Sequence, residues 1–201
     1  MKILSFSDIN LLDSPLEKLQ SIITSENIDI VILLGGLFPI LTEETSEKKR
    51  KKSQDPQNSN ILELNWLLVP ILIIPDETDL KSKHLIKQVQ GQEAVWIRYI
   101  HNKGTIIDSW FIFSITESED EDQEIFLKNI EEYSKIAPDR SILLYIGNKR
   151  ISFPKVSTIL LNHENTNSND NSFIVSIDSI KDHTVTIIDL DKKTVSSMSV
   201  Q

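Results

Sequence analysis

Two short apolar runs constrain this chain more than any other feature. Ile28 to Leu34 is apolar except for Asp29, and Val69 to Ile74 is apolar throughout, with Pro70 near its start. A strand with one wet face alternates apolar and polar residues. A strand that is apolar at consecutive positions is buried on both faces, as in a parallel sheet covered by helices. Gly35-Gly36 closes the first run. The chain must therefore place these two segments deep inside a layered α/β core.

The flanking residues extend this reading. Lys2 to Ser7 is expected as a first strand. A helix is expected from Ser14, with Ser14, Pro15 and Glu17 at the N-cap, N1 and N3 positions of a capping box. Leu16, Leu19, Ile22 and Ile23 recur at helical spacing behind it. Thr42 to Asn60 is polar and charged and reads as a flexible loop. Ile61 to Leu68 is expected as a short helix capped at Asn60, and Asp79 to Gln90 as another helix.

The second half changes character. Val95 to Ile100 and Thr105 to Ile115 predict a hairpin across His101-Asn102-Lys103-Gly104. Glu117 to Glu124 is an acidic segment that leads into a helix ending near Ala137, since carboxylates favour a helix N-terminus. Ser141 to Ile146 is another strand. Val156–Asn162, Ser172–Asp178, His183–Leu190 and Thr194–Val200 predict late strands, largely antiparallel. The expected fold class is α/β, a β-sandwich of mixed sheets flanked by helices.

Composition narrows the functional classes. Hydrophobic residues make up 39% of 201 positions, sufficient for one core, so one domain over residues 1–201 is expected. No run reaches the roughly 20 apolar residues that span a bilayer. The start carries no signal-peptide pattern, and there are no cysteines, which removes thiolate metal sites and cysteine nucleophiles. A cytoplasmic location is the expectation. The net charge of −9 disfavours a phosphate backbone as partner, so nucleic acid is not expected. With five glycines there are few corners where backbone can approach phosphate closely. No Gly-rich phosphate loop and no nucleophile elbow is present.

The strand ends carry the remaining signal. MKILSFSDIN opens the chain, DIVILLGGLF covers residues 29–38, and VPILIIPDETDL covers residues 69–80. In order and spacing these segments, with IHNKG and SILLYIG further on, resemble the calcineurin-like metallophosphoesterases. In that family the first strand ends in Asp-x-His, the second in Gly-Asp and the third in Gly-Asn-His-Asp. Here the corresponding residues are Asp8-Ile9-Asn10, Gly35-Gly36 and Asp76-Glu77-Thr78-Asp79. The resemblance implies a histidine near Ile146 and a later Gly-His-x-His motif, which this sequence lacks.

The resemblance therefore implies a degenerate member. Two-metal hydrolysis needs ions about 3.5–4 Å apart, an anionic bridge and a bound water. The bridging position is Gly36, the leaving-group acid position is Thr78, and the first-motif histidine is Asn10. Asp8 alone stays as the family has it. His84, His101, His163 and His183 lack metal-ligand spacing and read as surface or turn residues. The expectation is a catalytically inactive, phosphoesterase-like protein that binds or scaffolds a protein partner or forms a homo-oligomer, with no cofactor. Such a role is known in the superfamily, in the small retromer subunit and the accessory B subunits of replicative polymerases. The alternative is a divergent phosphoesterase or nucleotide-binding protein with a one-metal site. Asp8, Asp76 and Asp79, helped by Asn10 and Glu77, would hold one divalent ion, Mn²⁺, Mg²⁺ or Zn²⁺ by the resemblance and Mg²⁺ or Ca²⁺ by oxygen-ligand chemistry. In the plainer reading Asp8 caps a loop and Asp76 to Asp79 form a solvated turn and helix start.

Two further features bear on partners. Lys48, Lys49, Arg50, Lys51 and Lys52 form the one basic cluster, electrostatically complementary to the acidic segment 117–124. Trp96 and Trp110 lie on opposite arms of the expected hairpin and would make an apolar partner surface if exposed.

Overall fold

A computed structural model describes residues 1–9, 16–37, 64–81, 96–117, 140–146, 158–161, 173–177, 180 and 183–200, with a few single residues between 128 and 138. Strand β1 (Lys2–Phe6) leads towards helix α1 (Glu17–Glu26) and strand β2 (Ile30–Leu34). A 3₁₀ turn (Leu64–Leu67) precedes β3 (Ile71–Ile74), which is followed by helix α2 (Glu77–Lys81). Next come β4 (Ile97–Tyr99), β5 (Gly104–Ile107), β6 (Trp110–Thr116) and β7 (Ser141–Ile146). The chain ends with β8 (Thr158–Leu161), β9 (Phe173–Ser176), β10 (Thr184–Asp189) and β11 (Thr194–Ser199). Two sheets result, in the orders β11-β10-β1-β2-β3-β4 and β5-β6-β7-β8-β9.

The apolar runs behave as the sequence predicts. β1 to β4 are mutually parallel, and every side chain of β2 is buried. Alternate residues serve different cores. Leu4, Phe6, Val31, Leu33, Ile71 and Ile73 pack with Leu19, Ile22 and Ile23 of α1. Ile3, Ile30, Ile32, Leu34, Leu72 and Ile74 pack with Ile112, Ile142, Leu144 and Ile146 of the second sheet. Burying each such side chain contributes roughly 1.5–3 kcal/mol. This double duty is why the runs cannot alternate.

Asp29, the acidic interruption, lies just before β2. Its carboxylate accepts the Lys2 N–H at 2.7 Å, while its own N–H donates to the Lys2 carbonyl at 3.0 Å. Helix α1 starts at Glu17, with Leu16 at its N-cap and no side-chain cap bond. The expected capping residues Ser14 and Pro15 lie outside the described residues. At the other end Asn27 takes the left-handed conformation, φ 53°, and the Ile28 N–H donates to the Ile23 carbonyl at 3.0 Å. That closure turns the chain straight into β2.

Three expectations are corrected. Residues 95–100 and 105–115 do not form a hairpin. β4 instead extends the first sheet beside β3, where the Ile71 N–H donates to the Trp96 carbonyl and the Ile100 N–H to the Ile73 carbonyl. The hairpin is β5–β6, turned by Asp108 and Ser109, both left-handed at φ 46° and 70°. Two successive left-handed residues match the twist of paired strands, whereas His101 to Lys103 carry the chain from one sheet to the other. Secondly, the late strands split: β7, β8 and β9 pair in parallel, and only β10 and β11 are antiparallel. The connections before β8 and β9 are about a dozen residues, long enough for crossovers. Thirdly, Trp96 and Trp110 are not neighbours on one patch. Trp110 is buried between the sheets with the Arg140 guanidinium 5.8 Å from its ring centroid, and Trp96 sits half-exposed beside β4.

Among the described residues, 128, 131, 132 and 135 are helical, within the stretch expected as a helix after the acidic segment. Residues 42–60, including Lys48, Lys49, Arg50, Lys51 and Lys52, lie outside the described residues, as do residues 118–124. No helix among the described residues is long and apolar enough to cross a membrane.

Candidate functional site

The carboxyl ends of β1, β2, β3, β6 and β7 meet along one rim. Asp8 follows β1 with φ 60°, a left-handed conformation that costs a non-glycine residue about 1 kcal/mol or more. Its N–H donates to the Gly35 carbonyl at 3.2 Å, and the Ser7 hydroxyl donates to its carboxylate at 3.0 Å. Gly35 and Gly36 follow β2, also left-handed at φ 72° and 64°. The backbones press together here. A Cβ on Gly36 would lie 2.5 Å from the Asp8 Cα and 2.8 Å from its nitrogen, and would run into its carboxylate.

Asp76 and Asp79 follow β3. The Asp79 N–H donates to Asp76 Oδ1 at 2.8 Å and the Asp76 N–H to Asp79 Oδ2 at 3.1 Å, a reciprocal capping box that starts α2. The remaining oxygens reach across to the end of β2. The Gly36 N–H donates to Asp76 Oδ2 at 3.0 Å and the Leu37 N–H to Asp79 Oδ1 at 2.9 Å. Asp79 is only 1% exposed, so this segment is not the solvated turn that composition suggests. Thr78, by contrast, points to solvent.

The second sheet is stitched to the same rim. The Thr116 hydroxyl donates to the Pro75 carbonyl at 3.0 Å, and its N–H donates to Asn102 Oδ1 at 3.1 Å. The Glu117 N–H donates to the Ile146 carbonyl at 2.8 Å, and the Tyr145 hydroxyl donates to the Glu117 carboxylate at 3.0 Å. Ile146 itself is buried between the sheets.

Tyr99 lies behind this rim. Burial, and secondarily the Asp79 charge, push its phenol well above the usual value of 10.0. Its hydroxyl is buried with no hydrogen-bond partner among the described residues. A phenol whose pKa is raised on folding keeps its proton in the native state while the unfolded chain loses it. Stability from this group is therefore complete below about pH 10 and falls as pH rises above it. A Tyr99→Phe variant is expected to change stability at pH 7 by less than about 1 kcal/mol, since no bond is lost. It is also expected to flatten the alkaline loss of stability, as measured by urea unfolding between pH 8 and 11.

Neither the family models nor the curated proteins include a match to this sequence. Its three-dimensional relatives are clearer. One solved structure superposes with a TM-score of 0.67 at 16% identity, covering 100% of this chain and 99% of the other. The protein TT1561 of Thermus thermophilus superposes with a TM-score of 0.63 at 15% identity, again covering 100% and 99%. An archaeal phosphodiesterase superposes at 0.52 with 15% identity, covering 99% of each chain. This chain has the metallophosphoesterase-like fold.

Within the metallophosphoesterase-like fold the sequence-predicted positions fall as follows. Asp8, Gly36, Asp76 and Asp79 come together at the ends of β1, β2 and β3. Glu77 and Thr78 open α2, and Ile146 ends β7 on the other sheet. Asn10 lies outside the described residues. Among the described residues, no group of three or more His, Asp or Glu side chains is placed to hold a metal ion. His101 follows β4 and His183, at φ 54°, precedes β10; His84 and His163 lie outside the described residues. Sequence reasoning missed Tyr99, Asn102 and Thr116, which carry no motif and acquire their place only when two sheets meet. The Asp76-x-x-Asp79 spacing was a legible capping-box signal.

Proposed function

We propose that this chain is a non-catalytic, cytoplasmic protein of metallophosphoesterase-like fold that acts through protein contacts, as a binding or scaffolding subunit or in a homo-oligomer. The observation that carries this reading is Gly36. Where the resemblance implies a metal-bridging carboxylate there is no side chain, and Asp8 fills the space that a Cβ would need. The donor set at the rim does not suit a metal pair. Two close dications require several carboxylates and imidazoles directed at them, whereas Asp76 and Asp79 direct all four oxygens at backbone N–H groups.

Exposed apolar side chains support contacts elsewhere on the molecule. Trp66 is 74% exposed, Leu68 is 64% exposed with φ 56°, and both precede β3 at the end opposite the rim. The half-exposed Trp96 borders the same end, because its carbonyl accepts the Ile71 N–H. Trp110, being buried, is not part of this surface.

The test is direct. Mn²⁺, Mg²⁺ and Zn²⁺ are expected to give no saturable rise in melting temperature, and hydrolysis of an aryl phosphodiester is expected to stay at background. Saturable stabilisation or hydrolysis, abolished by Asp8→Ala, would sink this reading in favour of a one-metal site. Sedimentation of the purified protein then separates a homo-oligomer from a subunit that needs another chain.

A further inference from the structure

We infer that Asp76 and Asp79 form an internal carboxylate lock that fills the amide concavity at the end of β2 and ties β2 to β3 with no bound ligand. The lock lies at the same rim and uses the four carboxylate bonds that also support the proposed function, but it is tested by a separate measurement. Gly35 and Gly36 are both left-handed, and the Gly36 and Leu37 amides that follow both bond to the Asp76–Asp79 pair. Consecutive amides of a turn that converge on carboxylate oxygens form an anion-binding concavity. In this chain the anions are its own side chains, at 3.0 and 2.9 Å.

The fit is close and complete. A Cβ on Gly35 would come within 2.9 Å of Asp76 Oδ2 and 3.0 Å of the Asp76 Cβ, so the β2 loop lies directly against Asp76. Each of the four carboxylate oxygens accepts a backbone N–H. A carboxylate as buried as Asp79 is tolerated only when charge-assisted bonds replace its water. An incoming cation would have to share oxygens that already accept four amides, which weakens those bonds. An incoming phosphate would have to displace the carboxylates from two of them. Both ligand classes therefore compete with bonds already made.

Amide hydrogen exchange tests the lock in the full chain. In protein treated with a chelator, the Gly36 and Leu37 amides are expected to be protected. Addition of Mg²⁺, Zn²⁺ or inorganic phosphate is expected to leave that protection unchanged. An Asp79→Asn variant keeps the size but turns one acceptor into a donor. It is expected to speed Leu37 or Asp76 exchange at least about ten-fold and to lower the melting temperature by about 5 °C or more. Asp76→Asn should do the same for Gly36 or Asp79. Unprotected Gly36 and Leu37 amides in chelated wild-type protein, or protection that appears only with metal or phosphate, would overturn the lock, and this holds even if a variant fails to fold. Wild-type exchange and melting in Asp79→Asn would also overturn it. Hydrolytic activity would instead count against the proposed function, so the two ideas fail by different measurements.

Discussion

A Gly36→Asp variant is expected to lose about 3 kcal/mol or more of stability and to gain no phosphodiester hydrolysis. The loss has two sources. Gly36 sits at φ 64°, where an L side chain costs about 1–2 kcal/mol. The new Cβ would also lie 2.5 Å from the Asp8 Cα, a backbone atom that no side-chain rotation can clear. The ends of β1 and β2 would have to separate, which strains the Asp8 N–H bond to Gly35 and the Gly36 N–H bond to Asp76. A second carboxylate beside Asp8 adds like-charge repulsion. For a chain of this size the melting temperature should fall by about 6–12 °C. Gly36→Ala separates the backbone and steric share from the charge. Unchanged stability with Mn²⁺-dependent hydrolysis in Gly36→Asp would mean that the rim has room for a bridging carboxylate, and the close packing of Gly36 against Asp8 would not be what bars one.

The second large effect belongs to the core. Ile32→Ala is expected to cost about 2–5 kcal/mol, measured by urea or thermal unfolding. Ile32 is fully buried at the middle of β2 and faces the second sheet, whereas its neighbour Leu33 faces α1. Truncation opens a cavity between two sheets whose backbones are held by their own ladders and so cannot close in to fill it. Leu33→Ala should cost a similar amount through the other core. Val195→Ala on the edge strand β11, where the side chain is largely exposed, should stay within about 0.5 kcal/mol. If Ile32→Ala proved as mild as Val195→Ala, the core would not lie between the sheets as described.

Legibility in the sequence followed the physics of each signal. Runs such as Ile30–Leu34 and Ile71–Ile74 announce themselves because double burial leaves no position for a polar residue. Turn chemistry was harder. Asn102-Lys103-Gly104 carries a stronger turn composition than Asp108-Ser109, yet the chain reverses at the latter. Ile97 and Ile100 gain more by packing at the edge of the first sheet than by pairing with β5. Strand direction was not legible at all for β8 and β9, since parallel and antiparallel partners place the same demand on each side chain. At the rim, residue identity showed that Gly36 offers no carboxylate. It did not show that Asp79 is buried, because a charged residue at a helix start is usually wet.

Residue order alone was therefore enough to establish the layered α/β frame and the buried strands, because these follow from chemical type and spacing. Contacts between distant segments had to be seen in the packed chain. Asp76 and Asp79 turn from a predicted solvated turn into acceptors for Gly36 and Leu37 only once β2 and β3 lie side by side, some forty residues apart in sequence, where burial makes every unpaired N–H costly.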